Sequence, residues 1–498
     1  MQESCAAAQN PPRADESLRT IFTASAGLFG VQMVWGLQNV STSRIFQTLG
    51  ANVADLPILW VAAPLTGLLV QPIVGHYSDR WSSRFGRRRP FIAVGALACA
   101  LGMILLGFAH SLGEAVFGLW LLTASANLAM QPLRALLADL LPADRRVVGY
   151  AVQVLLIGSG AVLASAMPWL LGNLFGVATN APPGELPATV RYAFAVGAAL
   201  VLMTALISLL APDRPVLAAA APIDLDPERT VAPPREATVL LFVLSGAALA
   251  IGAALLMLRK ELYLLAAVAI VYGLALQALR QCAADRRPVR GLLRLVSDIA
   301  GMPEALRRLA LVQFFTWFGL FTLWVYAVPA VASRNADRVG AAGYNASADR
   351  VGLFFAFFDA TAIFVSLGLP WVARRIGLTA SHRLALALGA AGLCGLALTA
   401  DSGWSWLPAI GIGIAWASIL SAPYALVANG VPQDKVGVYL GIHNIFLVIP
   451  QLLAATTLGA VTDRLEQLSP MAMVWVAAGS MFAAALAVRR ITPAIAAN

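Results

Sequence analysis

Polar side chains recur inside long apolar stretches of this sequence. Amides and an arginine can each hydrogen-bond to two hydroxyl groups, and indole rings offer flat apolar surfaces. Because amides in lipid are costly, their number predicts a wet cavity that binds a small polyhydroxylated molecule. The candidate binding residues are Gln32, Gln38, Asn39, Gln71, Asn127, Gln131, Arg134, Trp317, Trp324, His443, Asn444 and Gln451. Gln153 and Gln313 lie at similar depth, and His443 is explained equally well by a hydrogen bond between helices.

Asp359 is the carboxylate most suited to proton transfer. It lies near the middle of an apolar segment, between Phe358 and Ala360. An ionised side chain there is expensive unless it is paired or faces water, and apolar surroundings favour its protonated form. We therefore expect Asp359 to carry a proton. The alternative is a salt bridge that fixes two helices, with Arg134 as a candidate partner.

Two further aspartates lie near the ends of predicted helices. Asp55, at the outer start of the second segment, is either a second proton-coupling candidate or a helix cap. Asp139 follows the fourth segment, where we expect it to pair with Arg145 or Arg146. For Asp139 a gate or a surface pair is the simpler explanation.

The loop after the second segment is strongly basic. Its candidate gating residues are Gly75, Asp79, Arg80, Gly86, Arg87 and Arg88. Gly75 permits close helix approach, and the Asp79 carboxylate can bind a helix end or an arginine, so the loop is suited to latch one state of a gate. The alternative for Arg87, Arg88 and Arg89 is that they only fix the topology.

An apolar framework must position these residues. Of the 498 residues, 59% are hydrophobic and 12% are charged, against about 25% charged in an ordinary soluble domain. Segments of roughly 20 apolar residues cross a bilayer as helices. They are predicted at about 20–40, 55–75, 90–110, 114–138, 148–172 and 191–211, then at 238–258 and 262–280, and finally at 310–333, 351–371, 383–400, 406–429, 437–460 and 471–489.

The sequence thus predicts an all-α membrane protein with two six-helix bundles, an inserted two-helix hairpin and about 14 transmembrane helices. The expected parts are a tail 1–19, a bundle 20–211, a linker 212–237, the hairpin 238–280, a linker 281–309, a second bundle 310–490 and a tail 491–498. The hairpin adds an even number of crossings. It therefore leaves the orientation of the second bundle unchanged.

Charge placement predicts the orientation. Most of the 34 Lys and Arg residues lie in loops on the side of the termini, which the positive-inside rule assigns to the cytoplasm. This distribution explains the net charge of +9 without a nucleic-acid partner. Arginine accounts for 32 of those 34 residues, which is typical of a GC-rich bacterial genome and favours a bacterial inner membrane. Trp60, Trp404 and Trp406 are expected in the aromatic belt.

The sequence contains no pattern typical of an enzyme. The four cysteines are far apart and indicate neither a disulfide framework nor a metal site. We found no paired catalytic carboxylates, no nucleophile–histidine–acid set and no nucleotide-binding loop. We therefore expect a non-enzymatic protein without cofactor or metal, which is a monomer in the bilayer.

The basic loop is similar to the G-x-x-x-D-R-x-G-R-R loop of the major facilitator superfamily, lengthened by a few residues. Further stretches resemble the sucrose-transporter branch of the glycoside–pentoside–hexuronide:cation symporters. They are 30–38, 67–72 with 78–80, 131–140 and 448–451, and the most specific is 83–92. The resemblance implies the major facilitator fold and proton-coupled uptake of an α-glucoside such as sucrose or maltose by alternating access.

The resemblance also implies roles for particular residues. Arg134 matches an arginine that the family uses in sugar handling, and Asn127 matches an amide of its fourth helix. Thr123 stands where the plant sucrose transporters carry an aspartate regarded as the proton carrier. Since threonine does not titrate, coupling would need another acid. A proton-driven exporter of sugar or of a small amphipathic compound, and a transporter-like sensor without turnover, remain the alternatives.

Overall fold

The structure is a computed structural model that describes residues 18–81, 83–141, 146–211, 233–285, 287, 289, 292–334, 341–400, 402, 404–430, 436–464 and 469–491. Within these ranges the chain is helical and contains no β-strand. Fourteen spans in the described part are long and apolar enough to cross a membrane. The predicted all-α membrane fold is confirmed.

The first six spans form one bundle, here called the first half. Its helices are α1 (Leu18–Thr48), α2 (Leu56–Leu59), α3 (Ala62–Arg80), α4 (Arg89–Gly107), α5 (Leu112–Leu140), α6 (Arg146–Leu174) and α7 (Ala188–Leu209). α1 packs along α6 and α7, and α4 packs along α5 and α7. Buried side chains such as Met103, Leu119 and Phe194 fill the space between them.

The inserted hairpin follows the first half. It consists of α8 (Glu236–Leu255) and α9 (Glu261–Ala284), which pack against each other, and the short α10 (Leu292–Ala300) contacts α9. Leu241, Leu244 and Val271 are among its many exposed apolar residues. Such surfaces suit contact with lipid. α9 also packs against α16 (Val436–Arg464) of the second bundle.

The last six spans form the second half. Its helices are α11 (Glu304–Arg334), α12 (Ala341–Ile376), α13 (Leu378–Thr399), α14 (Pro408–Ile419), α15 (Ala422–Gly430), α16 and α17 (Met471–Ala487). α11 and α13 both pack along α17, and α12 packs along α14. α12 also packs along α6, so the two halves share a long contact.

Some elements differ from the bounds expected from hydropathy. α1 continues to Thr48, beyond its expected end near residue 40, because polar residues such as Ser41 and Arg44 are buried among helices. The segment expected at 406–429 is divided into α14 and α15. Pro423, at the start of α15, lacks the N–H that a continuous helix would need.

Trp60 is also placed differently from the expectation. Its side chain is 1% exposed and its indole Nε1 donates to Ser43 Oγ at 3.0 Å. The prediction that it lies in the aromatic belt is wrong, because the indole fills a gap between α1 and Phe321 of the second half. Trp404 and Trp406 are both exposed.

The two ends of the bundle differ. At the terminal end, where α1 begins, Ser208 Oγ on α7 donates to the carbonyl oxygen of Thr23 on α1, which is a contact within the first half. At the opposite end the halves bind each other directly, since Ser43 Oγ donates to the carbonyl oxygen of Val325 at 2.8 Å and Tyr344 donates to Gln47 at 2.6 Å. We call this second end the closed end.

Candidate functional site

Two of the predicted amides meet between α3 and α5. Gln71 Nε2 donates to Asn127 Oδ1 at 2.6 Å, and Asn127 Nδ2 donates to Thr66 Oγ1 at 3.2 Å. Asn127 is 1% exposed. These contacts satisfy the amides inside the first half, as buried polar groups require. Thr123, one turn earlier on α5, binds the carbonyl oxygen of Leu119 in its own helix.

Arg134 lies between the two halves. It projects from α5 of the first half, and its guanidinium interacts electrostatically with Tyr424 on α15 of the second half. Its side chain is nevertheless exposed. Among the ion pairs within the described residues, none involves Arg134. A cation that faces the opposite half and remains accessible can bind a ligand that enters between the halves.

A cluster on the second half continues from Tyr424. The rings of Tyr424 and His443 are 5.0 Å apart, and His443 Nε2 lies 3.2 Å from Gln313 Nε2. His443 and Gln313 are buried, yet His443 Nδ1 and Gln313 Oε1 have no hydrogen-bond partner among the described residues. With the amide nitrogen as donor to Nε2, neutral His443 carries its proton on Nδ1. The pair therefore presents one unused donor and one unused acceptor.

Three aromatic rings lie near one another in the second half, and one of them, Trp317, follows Gln313 by one turn of α11. The ring centroids of Trp317 and Trp324 are 6.2 Å apart, and both rings lie 6.0 Å from that of Trp416. Trp317 Nε1 is buried and has no partner in the described part of the chain. Sequence reasoning did not find Trp416. The signal available was an indole in the middle of an apolar helix, which hydropathy alone does not distinguish from core.

The remaining amides have different environments. Gln38 is 1% exposed and its Oε1 has no partner within the described ranges, as is true of Gln153 Nε2. Gln451 Nε2 donates to the carbonyl oxygen of Leu447 in its own helix. Asn444 is exposed. Three further candidates are half-buried, namely Gln32, Asn39 and Gln131.

Asp359 lies at the contact between the halves. Ser165 Oγ on α6 donates to Asp359 Oδ2 on α12 at 3.3 Å. The side chain is half-buried. No ion pair joins it to Arg134 among the residues that the structure describes, so the salt-bridge alternative has no support here.

Asp55 is placed at the closed end, where it binds the inserted hairpin. Its Oδ1 lies 2.5 Å from Arg259 Nη2, in the turn of the inserted hairpin. Its side chain caps no helix, so the cap interpretation is wrong. The physical reason is that Arg259 offers a charged donor in place of backbone N–H groups.

The basic loop binds the end of α5. Arg87 Nη2 and Arg88 Nε lie 2.5 Å and 3.1 Å from Asp139 Oδ2, and Arg88 Nη1 donates to Ser78 Oγ at 2.9 Å. Asp139 thus has partners in this loop, since α3 and α4 bring the loop beside α5. The side chains of the expected partners Arg145 and Arg146 lie outside the described residues.

Gly86 lies in the same basic loop. Gly86 adopts φ +102°, which a residue with a side chain rarely tolerates. Gly75 belongs to α3, and so do Asp79 and Arg80, whose side chains are outside the described part. The structure therefore supplies contacts only for the arginine half of the proposed latch.

A buried ion pair that the sequence did not indicate joins the halves at the closed end. Arg44 Nη1 on α1 lies 2.8 Å from Asp349 Oδ1 on α12, and Arg44 Nε donates to Asn345 Oδ1 at 3.0 Å. The Arg44 side chain is 2% exposed and the Asp349 side chain is 10% exposed. A cavity of about 300 Å³ opens beside them, lined in part by Gln47 and Tyr344.

Two helical bundles that bind each other at one end and enclose accessible polar residues define a multi-pass membrane carrier. The chain belongs to the Major Facilitator Superfamily, whose family model matches residues 24–455. It is a membrane transporter of that superfamily and not an enzyme, as the sequence predicts.

Among curated proteins, the chain is similar to plant sucrose transporters. It is 38% identical to Sucrose transport protein SUC4 of Arabidopsis thaliana over 153 residues, which cover 28% of this chain and 30% of that protein. Identity to Sucrose transport protein SUT2 of Oryza sativa subsp. indica is 37% over 188 residues, or 34% of this chain and 36% of the relative. The match thus spans about a third of the length of these relatives. The predicted resemblance is confirmed.

Solved structures share the fold over nearly the whole chain. An auto-inhibited peptide transporter of the POT family superposes with a TM-score of 0.65 at 16% identity, covering 95% of this chain and 96% of the other. The inward-open xylose transporter XylE from E. coli gives a TM-score of 0.61 at 14% identity, with the same coverage of 95% and 96%. At these identities the likeness concerns the fold alone.

Proposed function

We propose that this protein transports a disaccharide or related α-glucoside, such as sucrose or maltose, together with protons. The observation that carries the proposal is the set of unused buried polar atoms on the second half, namely Gln313 Oε1, His443 Nδ1 and Trp317 Nε1. Such atoms cost free energy when nothing binds them, so their presence favours a ligand rich in donors and acceptors. A sugar has such groups, and its apolar faces suit indole rings.

The position of the cluster supports a carrier rather than a fixed binding protein. Arg134 reaches towards Tyr424 from the other half, and the Tyr424 ring contacts the His443 ring edge to face. A ligand bound between Arg134 and this cluster would contact both halves. Rocking of the halves about such a site gives alternating access. The sequence match to proteins named as sucrose transporters agrees with a sugar as ligand.

We assign proton coupling to Asp359. It lies where α6 and α12 of opposite halves touch, so its surroundings change when the halves rock. Thr123 cannot replace the aspartate of the plant proteins, since its hydroxyl does not titrate. Asp55 is the weaker candidate, because its carboxylate is already bound to Arg259.

The proposed setting follows from charge. We place both termini in the cytoplasm, because most basic residues lie in loops on the same side of the membrane as the termini. The predominance of arginine over lysine favours a bacterial inner membrane. We propose that the protein is a monomer there. The proposed direction is uptake. Export of sugar is the alternative that the same bundle permits.

The test is transport by purified protein in liposomes. Labelled sucrose, maltose and a panel of other disaccharides are offered with and without an inward proton gradient. We expect uptake of an α-glucoside that the gradient accelerates, and loss of that acceleration in Asp359→Asn. Asp285→Asn is the control, since Asp285 follows the end of α9 and pairs with the nearby Arg287.

Three outcomes would count against parts of the proposal. Uptake by the parent that ignores the gradient would refute proton coupling. Gradient-driven uptake by Asp359→Asn equal to that of the parent would move coupling to another residue. Release from preloaded vesicles with no uptake under either gradient would favour the exporter.

A further inference from the structure

The turn of the inserted hairpin lies at the closed end and carries a single arginine with three acidic neighbours. Arg259 Nη2 lies 2.5 Å from Asp55 Oδ1, and Arg259 Nη1 lies 3.1 Å from Asp463 Oδ2. Glu261 is the third acid, with Oε1 3.1 Å from Nη2 and Oε2 3.3 Å from Nε. Each of the three guanidinium nitrogens of Arg259 therefore has a carboxylate partner.

The two distant acids belong to different halves. Asp55 precedes α2 in the first half, whereas Asp463 lies at the end of α16 in the second half. The backbones also touch here, because a Cβ atom on Gly459 would come within 2.5 Å of the carbonyl oxygen of Ala54. Arg259 thus binds both halves at the place where they must separate when the closed end opens.

We propose that the inserted hairpin is a clamp on the closed end, in which Arg259 binds Asp55 and Asp463 and must release Asp55 in each transport cycle. The release falls on Asp55 because α9 packs against α16, so the hairpin moves with the second half. Asp463 is on α16 itself and stays within reach. This role is independent of the transported substrate.

The ion pair between Arg259 and Asp55 is stable in the closed state and can still break when the halves separate. Glu261 fixes the guanidinium, so little conformational freedom is lost when Asp55 binds. Although partial burial opposes it, hydrogen bonds with Glu261, Asp55 and Asp463 raise the pKa of Arg259, which keeps its charge at all accessible pH values. The Asp55 side chain is 37% exposed, so water can replace the arginine when the halves part.

The experiment measures the distance across the closed end in lipid nanodiscs. Spin labels are placed on cysteines introduced at Asn173, at the end of α6, and at Trp404, between α13 and α14. Both side chains are exposed and they belong to opposite halves. The four native cysteines are replaced by alanine. Opening of the closed end appears as a longer distance in pulsed electron paramagnetic resonance.

We expect Arg259→Gln to raise the ratio of long to short distances by about tenfold, the effect of one charge-assisted contact that only one state makes. Asp55→Asn should give a similar increase without altering the hairpin. The double variant should exceed neither single variant by much, because both remove the same contact. Arg280→Gln is the matched control, since the partners of Arg280 among the described residues are Pro234 and Glu236, both beside the start of α8.

The clamp is refuted by either of two results. One is a distance distribution in both Arg259→Gln and Asp55→Asn that matches the parent. The other is an equal lengthening in Arg280→Gln, which would mean that the hairpin acts only through its general stability.

Discussion

Individual side chains divide into those whose polar atoms are satisfied by the fold and those whose atoms are not. Asn127 makes several hydrogen bonds within the first half, so its amide needs nothing further. Gln313 and His443 bind each other and still leave Oε1 and Nδ1 unused in the described part of the chain. A buried atom of this kind gains most from a ligand. We therefore expect the ligand affinity to depend on Gln313 more than on Asn127.

The residue-scale prediction concerns Gln313→Leu. Removing the amide eliminates the unused acceptor and should weaken sugar binding about tenfold, as the loss of about 1 kcal/mol or slightly more implies. Calorimetric titration of the purified protein with the transported glucoside measures it. Thr316→Val is the control on the same helix, because Thr316 Oγ1 donates to the carbonyl oxygen of Val312 within that helix. Equal affinity of Gln313→Leu and Thr316→Val would remove Gln313 from the site.

The sequence predicts polar candidates well but not their partners. Gln71 and Asn127 were both candidates because amides stand out in apolar segments, yet their mutual hydrogen bond depends on how α3 crosses α5. The sequence did not predict the role of Arg44, because it follows Ser41, Thr42 and Ser43, and such a polar run is typical of the end of a helix. Its partner Asp349 lies 305 residues away in the chain.

At the scale of helices, hydropathy predicts the number of spans because each must carry its own apolar length across lipid. It fails where a helix end is buried in protein rather than exposed to water. α12 begins at Ala341, ten residues before its expected start at 351, and this first part holds the polar residues Asn345 and Asp349. Such polar turns lower the hydropathy although the helix continues. Boundaries there require the tertiary structure.

The element-scale prediction concerns the contact between α6 and α12. A Cβ atom at Gly352 would lie 2.7 Å from the carbonyl oxygen of Ser165, whereas one at Gly368 on the same helix would meet nothing within 4 Å. Gly352→Ala must push the helices apart, at a cost of about 1–3 kcal/mol. We expect a lower apparent melting temperature and slower transport for Gly352→Ala, with neither change in Gly368→Ala.

Thermal unfolding in detergent, followed by tryptophan fluorescence, gives the melting temperature for both variants. Transport is compared in the liposome assay. If Gly352→Ala melts and transports like Gly368→Ala, then α6 and α12 are not held at the close distance that the structure shows.

For the whole molecule, two charged contacts among the described residues hold the closed end, and they differ in burial. Arg44 and Asp349 are almost fully buried, whereas Arg259 and its partners are partly exposed. Removing one member of a buried pair leaves an unpaired charge and costs more than removing a surface pair. The Arg44–Asp349 pair should thus determine whether the closed conformation can form, and the Arg259 clamp should adjust how often it opens.

The corresponding prediction concerns Asp349→Asn. In the closed conformation this variant leaves the Arg44 guanidinium buried beside neutral groups, at a cost of about 3–5 kcal/mol. Opening lets water reach Arg44, so we expect the long distance between labels at 173 and 404 to predominate. The double variant Arg44→Leu with Asp349→Leu removes both charges and should return most of the population to the short distance. Glu185→Gln is the control at the same end, since Glu185 and its partner Arg191 are 57% and 34% exposed. Were Asp349→Asn to give the same distances as Glu185→Gln, the buried pair would have no part in holding the halves together.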